Sequence, residues 1–143
     1  MVFDAEDPHR LAAFWAEALG YVVEDNSALI RDLLAAGAAS DGDVITVEGQ
    51  LRWRDAAAIR DPSAPFDEHS GVGQGGRVLF QRVPEPKTAK NRVHLDLHVG
   101  ADRREACVAR LVELGARRIG QHQQGAFTWV VLADPEGNEF CVA

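Results

Sequence analysis

Two versions of one pattern stand at either end of this chain, and no other feature restricts its fold as much. The first runs Val2-Phe3-Asp4-Ala5, then Asp7-Pro8, an apolar helix from Leu11 to Leu19, and Gly20-Tyr21-Val22-Val23. The second runs Val93 to Val99, then Asp102, a helix through Val108, Leu111, Val112 and Leu114, and Gly115-Ala116. Placing Leu19-Gly20 on Leu114-Gly115 gives an offset of 95, which also places Asp7 on Asp102. A repeated unit of strand, capped helix and further strands implies a pseudo-symmetric fold with a cleft between related halves.

Each copy reads β-α-β-β-β. The Asp7 carboxylate caps the first amides of a helix and Pro8 tolerates its first position, which predicts a helix over 8–19 stopped by Gly20. Tyr21 to Glu24 reads as a strand. Asn26 or Ser27 then caps a second helix with the stripe Leu29, Ile30, Leu33 and Leu34. Short strands are expected over 44–47, 51–53, 56–59 and 77–83, and in the second copy over 117–123, 126–132 and 138–142, after a helix over 103–114. The last strand is entered through Asp134-Pro135-Glu136-Gly137, a turn in which proline fixes φ and glycine admits positive φ. Residues 27–76 have no counterpart in the second copy. They read as an insertion that fills space against the fold or lids its cleft, with a mobile loop from Ser63 to Gly76. The modules then span about 1–86 and 91–143, joined by the linker Pro84 to Asn91, within one domain.

The net charge of −7 argues against nonspecific binding to nucleic acid or anionic membranes, since both need clustered cations. Arg103-Arg104 and Arg117-Arg118 are expected at solvated helix and strand ends. No run approaches the roughly 20 apolar residues of a membrane span, and Met1 to Arg10 lack the pattern of a signal peptide. A cytoplasmic location is the expectation, and Cys107 and Cys141, far apart in the pattern, read as reduced thiols.

Three segments, Asp7-Pro8-His9-Arg10-Leu11-Ala12-Ala13-Phe14-Trp15 through Tyr21, Asn91-Arg92-Val93-His94-Leu95-Asp96-Leu97-His98-Val99, and Asp134-Pro135-Glu136-Gly137-Asn138, resemble the vicinal oxygen chelate superfamily. Their order and spacing are similar to its glyoxalase-like and bleomycin-resistance-like branch. The resemblance implies an α+β fold of paired βαβββ modules whose mixed sheets curl into a cup, often completed in a homodimer. It also implies a divalent ion held by a His or Glu on the first strand of one module, a His on the first strand of the other and a Glu on a last strand. His94 occupies the second of these positions. The first would fall at residue −1 by the repeat offset, and the third is Cys141.

Strand alternation puts Val93, Leu95, Leu97 and Val99 on one face, suited to packing under the helices, and His94, Asp96 and His98 on the other. Glu139 and Cys141 share a face of the closing strand. A nonstandard site of His94, Asp96, Glu139 and Cys141 follows, with His94 and Glu139 as the candidate metal ligands. At about 3.3 Å per residue His94 and His98 are roughly 13 Å apart, too far to share one ion. Cys141 beside His94 favours a soft ion such as zinc over magnesium. Trp53, Phe80 and Trp129 sit on strands where they would line an apolar pocket for a flat ligand, with core packing as the competing role. Cys141 reads as a small buried thiol or, less simply, as a nucleophile activated by His94. His9, His69 and His122 read as surface residues.

Gly71-Val72-Gly73-Gln74-Gly75-Gly76 matches G-x-G-x-x-G, but a dinucleotide site needs a strand before it and a helix after it, and here a polar loop precedes and a strand follows. Three functional readings emerge. The favoured one is a homodimeric glyoxalase-like protein that binds a small organic molecule in its cup without the orthodox metal triad. The second is a lyase, isomerase or dioxygenase that uses zinc, iron, manganese or nickel through His94 with Glu139 or Asp96. The third is a drug-sequestering protein of the bleomycin-resistance type.

Overall fold

The computed structural model describes residues 1–143, which divide into two compact units, Met1–Pro84 and Glu85–Ala143. In the first unit, β1 (Val2–Ala5) leads into α1 (Pro8–Leu19). The Asp7 carboxylate accepts hydrogen bonds from the His9 and Arg10 amides at 3.1 Å, and Gly20 ends the helix at φ 69°. The apolar stripe Leu11, Ala12, Phe14, Trp15 and Ala16 is buried. It faces a four-stranded sheet in the order β1-β6-β5-β2, where β2 is Val22–Val23, β5 is Ala56–Arg60 and β6 is Val78–Arg82. β1 runs parallel to β6 and the other pairs are antiparallel. Phe3 lies 5.8 Å from the Trp15 ring and 5.5 Å from the Phe80 ring, the centre of this core. Truncating Trp15 or Phe80 to alanine would cost about 3–5 kcal/mol.

Between β2 and β5 the chain inserts α2 (Ser27–Ala35) and the hairpin β3 (Val44–Val47) with β4 (Gln50–Trp53). Ile30 is fully buried, and the Ser27 hydroxyl donates to the Leu51 carbonyl at 3.2 Å, which fixes α2 to β4. Asn26 makes no side-chain cap. Its amide group donates to the Ser70 carbonyl at 2.6 Å, and the Asp25 carboxylate takes the Ser27 amide at 2.9 Å. The expectation of one insertion over 27–76 therefore needs division. β5 lies inside that range yet pairs with β2 and β6 in the main sheet, so the additions are α2 with its hairpin and the loop between β5 and β6.

That loop is pinned rather than loose. The Glu24 carboxylate, with no exposed side-chain surface, accepts from the Gly73 amide at 2.8 Å and from the Arg77 guanidinium at 2.8 and 3.0 Å. The Arg60 guanidinium stands 3.7 Å over the Phe66 ring, and Phe66 bridges to Gly73. Two glycines of the G-x-G-x-x-G run serve packing: a Cβ on Gly71 would sit 2.2 Å from the Asp25 carbonyl oxygen, and one on Gly73 would sit 2.7 Å from the Arg60 Cβ. β6, not a helix, follows the run.

The second unit repeats the topology. β7 (Asp96–Leu97), α3 (Arg104–Glu113), β8 (Arg117–Gln124), β9 (Phe127–Ala133) and β10 (Glu139–Val142) give the order β7-β10-β9-β8, again with the first strand parallel to the last. Phe140, Val142, Val130 and Leu132 are buried on one face, and the α3 residues Val108 and Leu111 are buried with them. β7 is shorter than the expected 93–99. Its neighbour β10 offers only four residues, and Val93 is 78% exposed instead of packing under a helix. Backbone bonds from Cys141 to Leu95 and from Ala143 to Leu97 nevertheless hold the segment in strand register. Asp134, almost wholly buried, organises the turn before β10: its Oδ1 accepts from the Glu136 and Asn138 amides at 2.9 Å, and Gly137 takes φ 91°. No helix is long and apolar enough to cross a membrane.

Candidate functional site

A cavity of about 1200 Å³ opens over the second unit's sheet. Its floor follows from register. Cys141 pairs with Asp96 on one side and Val131 on the other, and alternation turns all three side chains to the same face, with Glu139 two residues earlier on β10. His94 lies just before β7 with its Nε2 3.3 Å from the Asp96 carboxylate. One donor atom from each of His94, Asp96 and Cys141 lies within 4.8 Å of the other two.

The electrostatics of the two β10 residues diverge. Glu139 accepts from the Asn91 amide at 3.0 Å and faces the Lys87 ammonium at 3.2 Å. The amide hydrogen bond first, then Lys87, lowers its pKa to about 2. The carboxylate is thus ionised and already engaged. Cys141 is buried, and its thiol is pushed up to about 11, mainly by burial and further by the Asp96 charge and hydrogen bond. At neutral pH it is a protonated, weakly nucleophilic thiol, which removes the basis for an activated Cys141.

One wall is aromatic. Trp129 pairs across the β8-β9 ladder with His122, and their rings stack with centroids 5.9 Å apart and planes 21° from parallel. His122 is exposed, as the sequence suggested, and it also lines the cavity. The signal was present: the turn at Gly125 pairs Gln124 with Phe127, and counting back from it sets His122 opposite Trp129. His9 is also more than a surface residue, since its ring bonds the Trp53 carbonyl at 2.9 Å. His69 meets Asp32 at 3.1 Å on an exposed face. Of the three aromatic candidates, Trp129 lines the cavity. Phe80 has no exposed surface and serves the first unit's core, and Trp53 lies on β4 of that unit. Arg104 also departs from expectation: it is half-buried, lines the cavity and bonds the Thr128 hydroxyl.

The model of the glyoxalase-like domain family matches residues 1–143. This chain belongs to the glyoxalase-like family. Solved structures share its fold at low sequence identity. A glyoxalase/bleomycin resistance protein/dioxygenase family enzyme from Burkholderia phytofirmans is 15% identical with TM-score 0.59, covering 99% of this glyoxalase-like chain and 93% of that one. A possible glyoxalase from Bacillus cereus is 13% identical with TM-score 0.56, over 99% and 93% of the two chains. The fosfomycin resistance protein FosX from Listeria monocytogenes, solved as a mutant in complex with Mn(II) and 1S,2S-dihydroxypropylphosphonic acid, is 8% identical with TM-score 0.56, over 99% and 83%. No curated protein sequence matches this glyoxalase-like chain.

Proposed function

We propose that this glyoxalase-like protein binds a flat organic molecule in the cleft of its second unit, without the metal triad usual in the superfamily. The observation that carries the reading is the stacked Trp129–His122 wall beside a cavity large enough for a drug-sized ligand. Such a wall offers a π face worth about 0.5–1.5 kcal/mol beyond area burial. The floor supplies orientation. His94 and Asp96 present hydrogen-bonding groups, and the protonated Cys141 adds a soft, neutral surface between them. Nothing in this arrangement requires bond making, so sequestration of a drug-like compound is the same physical act as binding. The test is titration of the protein with a library of planar compounds, read by quenching of tryptophan fluorescence. Saturable quenching that weakens about tenfold in Trp129→Ala is expected; ligands whose affinity ignores that substitution would place binding elsewhere.

A second reading is favoured by the donor cluster. One nitrogen, one carboxylate oxygen and one sulfur within 4.8 Å suit a borderline-soft ion such as zinc, with a coordination position left for substrate. His94, Asp96 and Cys141 would hold the ion, and Glu139, bound to Lys87 and Asn91, would stand outside it. The ion would polarise an oxygen of the substrate as a Lewis acid. His94 would then act through its ring nitrogen as a ligand rather than a base, and the charge of the ion would offset the Asp96 anion and favour the thiolate of Cys141. Elemental mass spectrometry of untagged wild type and His94→Ala decides between the readings. About one ion per chain, lost in the variant, establishes the metal enzyme; its absence from both leaves the binding protein.

A further inference from the structure

The cavity side of β9 carries more aromatic surface than one ring would cover. Alternation turns Thr128, Val130 and Leu132 toward α3, where Thr128 meets Arg104 and the other two are fully buried. Phe127, Trp129 and Val131 take the opposite face, the one that Cys141 and Asp96 share, and all three line the cavity. Trp129 is half-buried, whereas Phe127 is 78% exposed although its backbone is paired in the β8-β9 ladder. Its ring is therefore held in place by the strand and left open to a ligand.

The neighbouring strand keeps this face clear. β8 sets Gly120, His122 and Gln124 opposite Val131, Trp129 and Phe127. Gly120 brings no side chain, and a Cβ built on it would meet nothing closer than the His122 Nε2 at 3.7 Å. His122 lies against the Trp129 ring. The cross-strand pairs thus form a track that starts at the His94, Asp96 and Cys141 donors, passes the open place at Gly120 and the Trp129 ring, and ends at Phe127. From Val131 to Phe127 it runs about 13 Å, with the two aromatic positions about 7 Å apart. A single ring seated at Trp129 would leave Phe127 in water and most of the cavity of about 1200 Å³ empty. We infer that the ligands of this cavity are elongated planar molecules of several rings in line, with a polar end at His94 and Asp96, and that Phe127 selects their length. This rests on the proposed binding of a flat molecule at Trp129.

The experiment is equilibrium dialysis of the full chain with 2-naphthamide and with anthracene-2-carboxamide, which share a polar end and differ by one fused ring. Crossing the two probes with the variants separates the contact at Phe127 from the greater hydrophobicity of the longer probe. Phe127→Ala is expected to weaken the three-ring probe about fivefold and the two-ring probe less than about twofold, and Phe127→Tyr, which keeps the ring, to bind both as wild type does. Because Phe127 is exposed, both variants are expected to keep the wild-type circular dichroism melt. Trp129→Ala is expected to weaken both probes. A loss in Phe127→Ala that is equal for the two probes, or absent for the longer one, would overturn the length selection while leaving the binding site at Trp129. Binding that ignores Trp129→Ala, or no binding of either probe, would overturn both readings.

Discussion

Glu24 offers the most direct check on how the first unit holds its long loop. Substitution by alanine removes the only acceptor for the Gly73 amide and for two guanidinium nitrogens of Arg77, at 2.8 to 3.0 Å. Removing one partner of a buried ion pair costs about 3–5 kcal/mol. Arg77 keeps 31% of its side chain exposed and can regain water, which places the cost near the lower end, about 3 kcal/mol. For a chain of this size about 3 °C of melting temperature accompanies each kcal/mol, so a fall of about 9 °C is expected by circular dichroism. The loss should concentrate in the loop between β5 and β6, where glutamyl endopeptidase would cut after Glu68 much sooner than in wild type. Arg77→Ala and the double variant complete a cycle: with the pair as the source of the effect, the double variant is less destabilised than the two singles combined, by about 2 kcal/mol. A melting temperature within about 2 °C of wild type, or strict additivity, would refute the account.

Three further outcomes are expected. Glu139, its folded pKa lowered to about 2 from 4.5, stabilises the fold fully above pH 4.5 and loses that contribution as pH falls through 2. With its side chain 19% exposed the effect is about 2 kcal/mol, so denaturation of wild type at pH 7 and pH 3 should differ more than in Glu139→Gln, and equal pH dependence would contradict it. In a Cys107→Ser background, Cys141 should resist iodoacetamide at pH 8 and gain reactivity only toward pH 11, while Asp96→Asn, which removes a neighbouring anion, should bring that rise to lower pH. Gly71→Ala, with its Cβ 2.2 Å from the Asp25 carbonyl at φ 73°, should cost about 2 kcal/mol or more, whereas Gly37→Ala, at φ 69° with open space around it, should cost about 1 kcal/mol by chemical denaturation.

The parts of this fold written in local chemistry were legible from the residues alone. Asp7-Pro8 and Gly20 bound α1 because a cap and a left-handed stop are local events, and the repeat gave the shared strand order of both units. What escaped was set by contacts across sequence. Asn26 looks like a cap but is drawn away by the Ser70 carbonyl, 44 residues on. The loop over 63–76 has the composition of a mobile segment, and only the buried Glu24 shows why it is held. In the site, alternation put His94, Asp96, Glu139 and Cys141 on one face, yet it could not reveal that Glu139 is engaged by Lys87 and Asn91. The place of Arg104 was missed for the same reason, since it is set by helix-to-strand contact, whereas the pairing of His122 with Trp129 could be counted back from the turn at Gly125.

The chemistry of the floor turns on which β10 residue faces Asp96, and that choice is fixed upstream. Asp134 accepts two backbone amides and the Asn138 side chain, so the turn delivers β10 with one register. In that register Cys141, not Glu139, pairs with Asp96. Sliding the strand by two residues would bring the carboxylate into place, but it would also break the bonds of Glu139 to Asn91 and Lys87 and misplace Phe140 and Val142 from the core. The anionic charge beside His94 therefore comes from Asp96, while β10 contributes a neutral thiol. A Cys141→Glu variant would set two carboxylates side by side at this point. It should hold a divalent ion more tightly than wild type and, with the ion removed, melt at a lower temperature through like-charge repulsion. Unchanged ion affinity in that variant would show that the floor is not arranged around these three side chains.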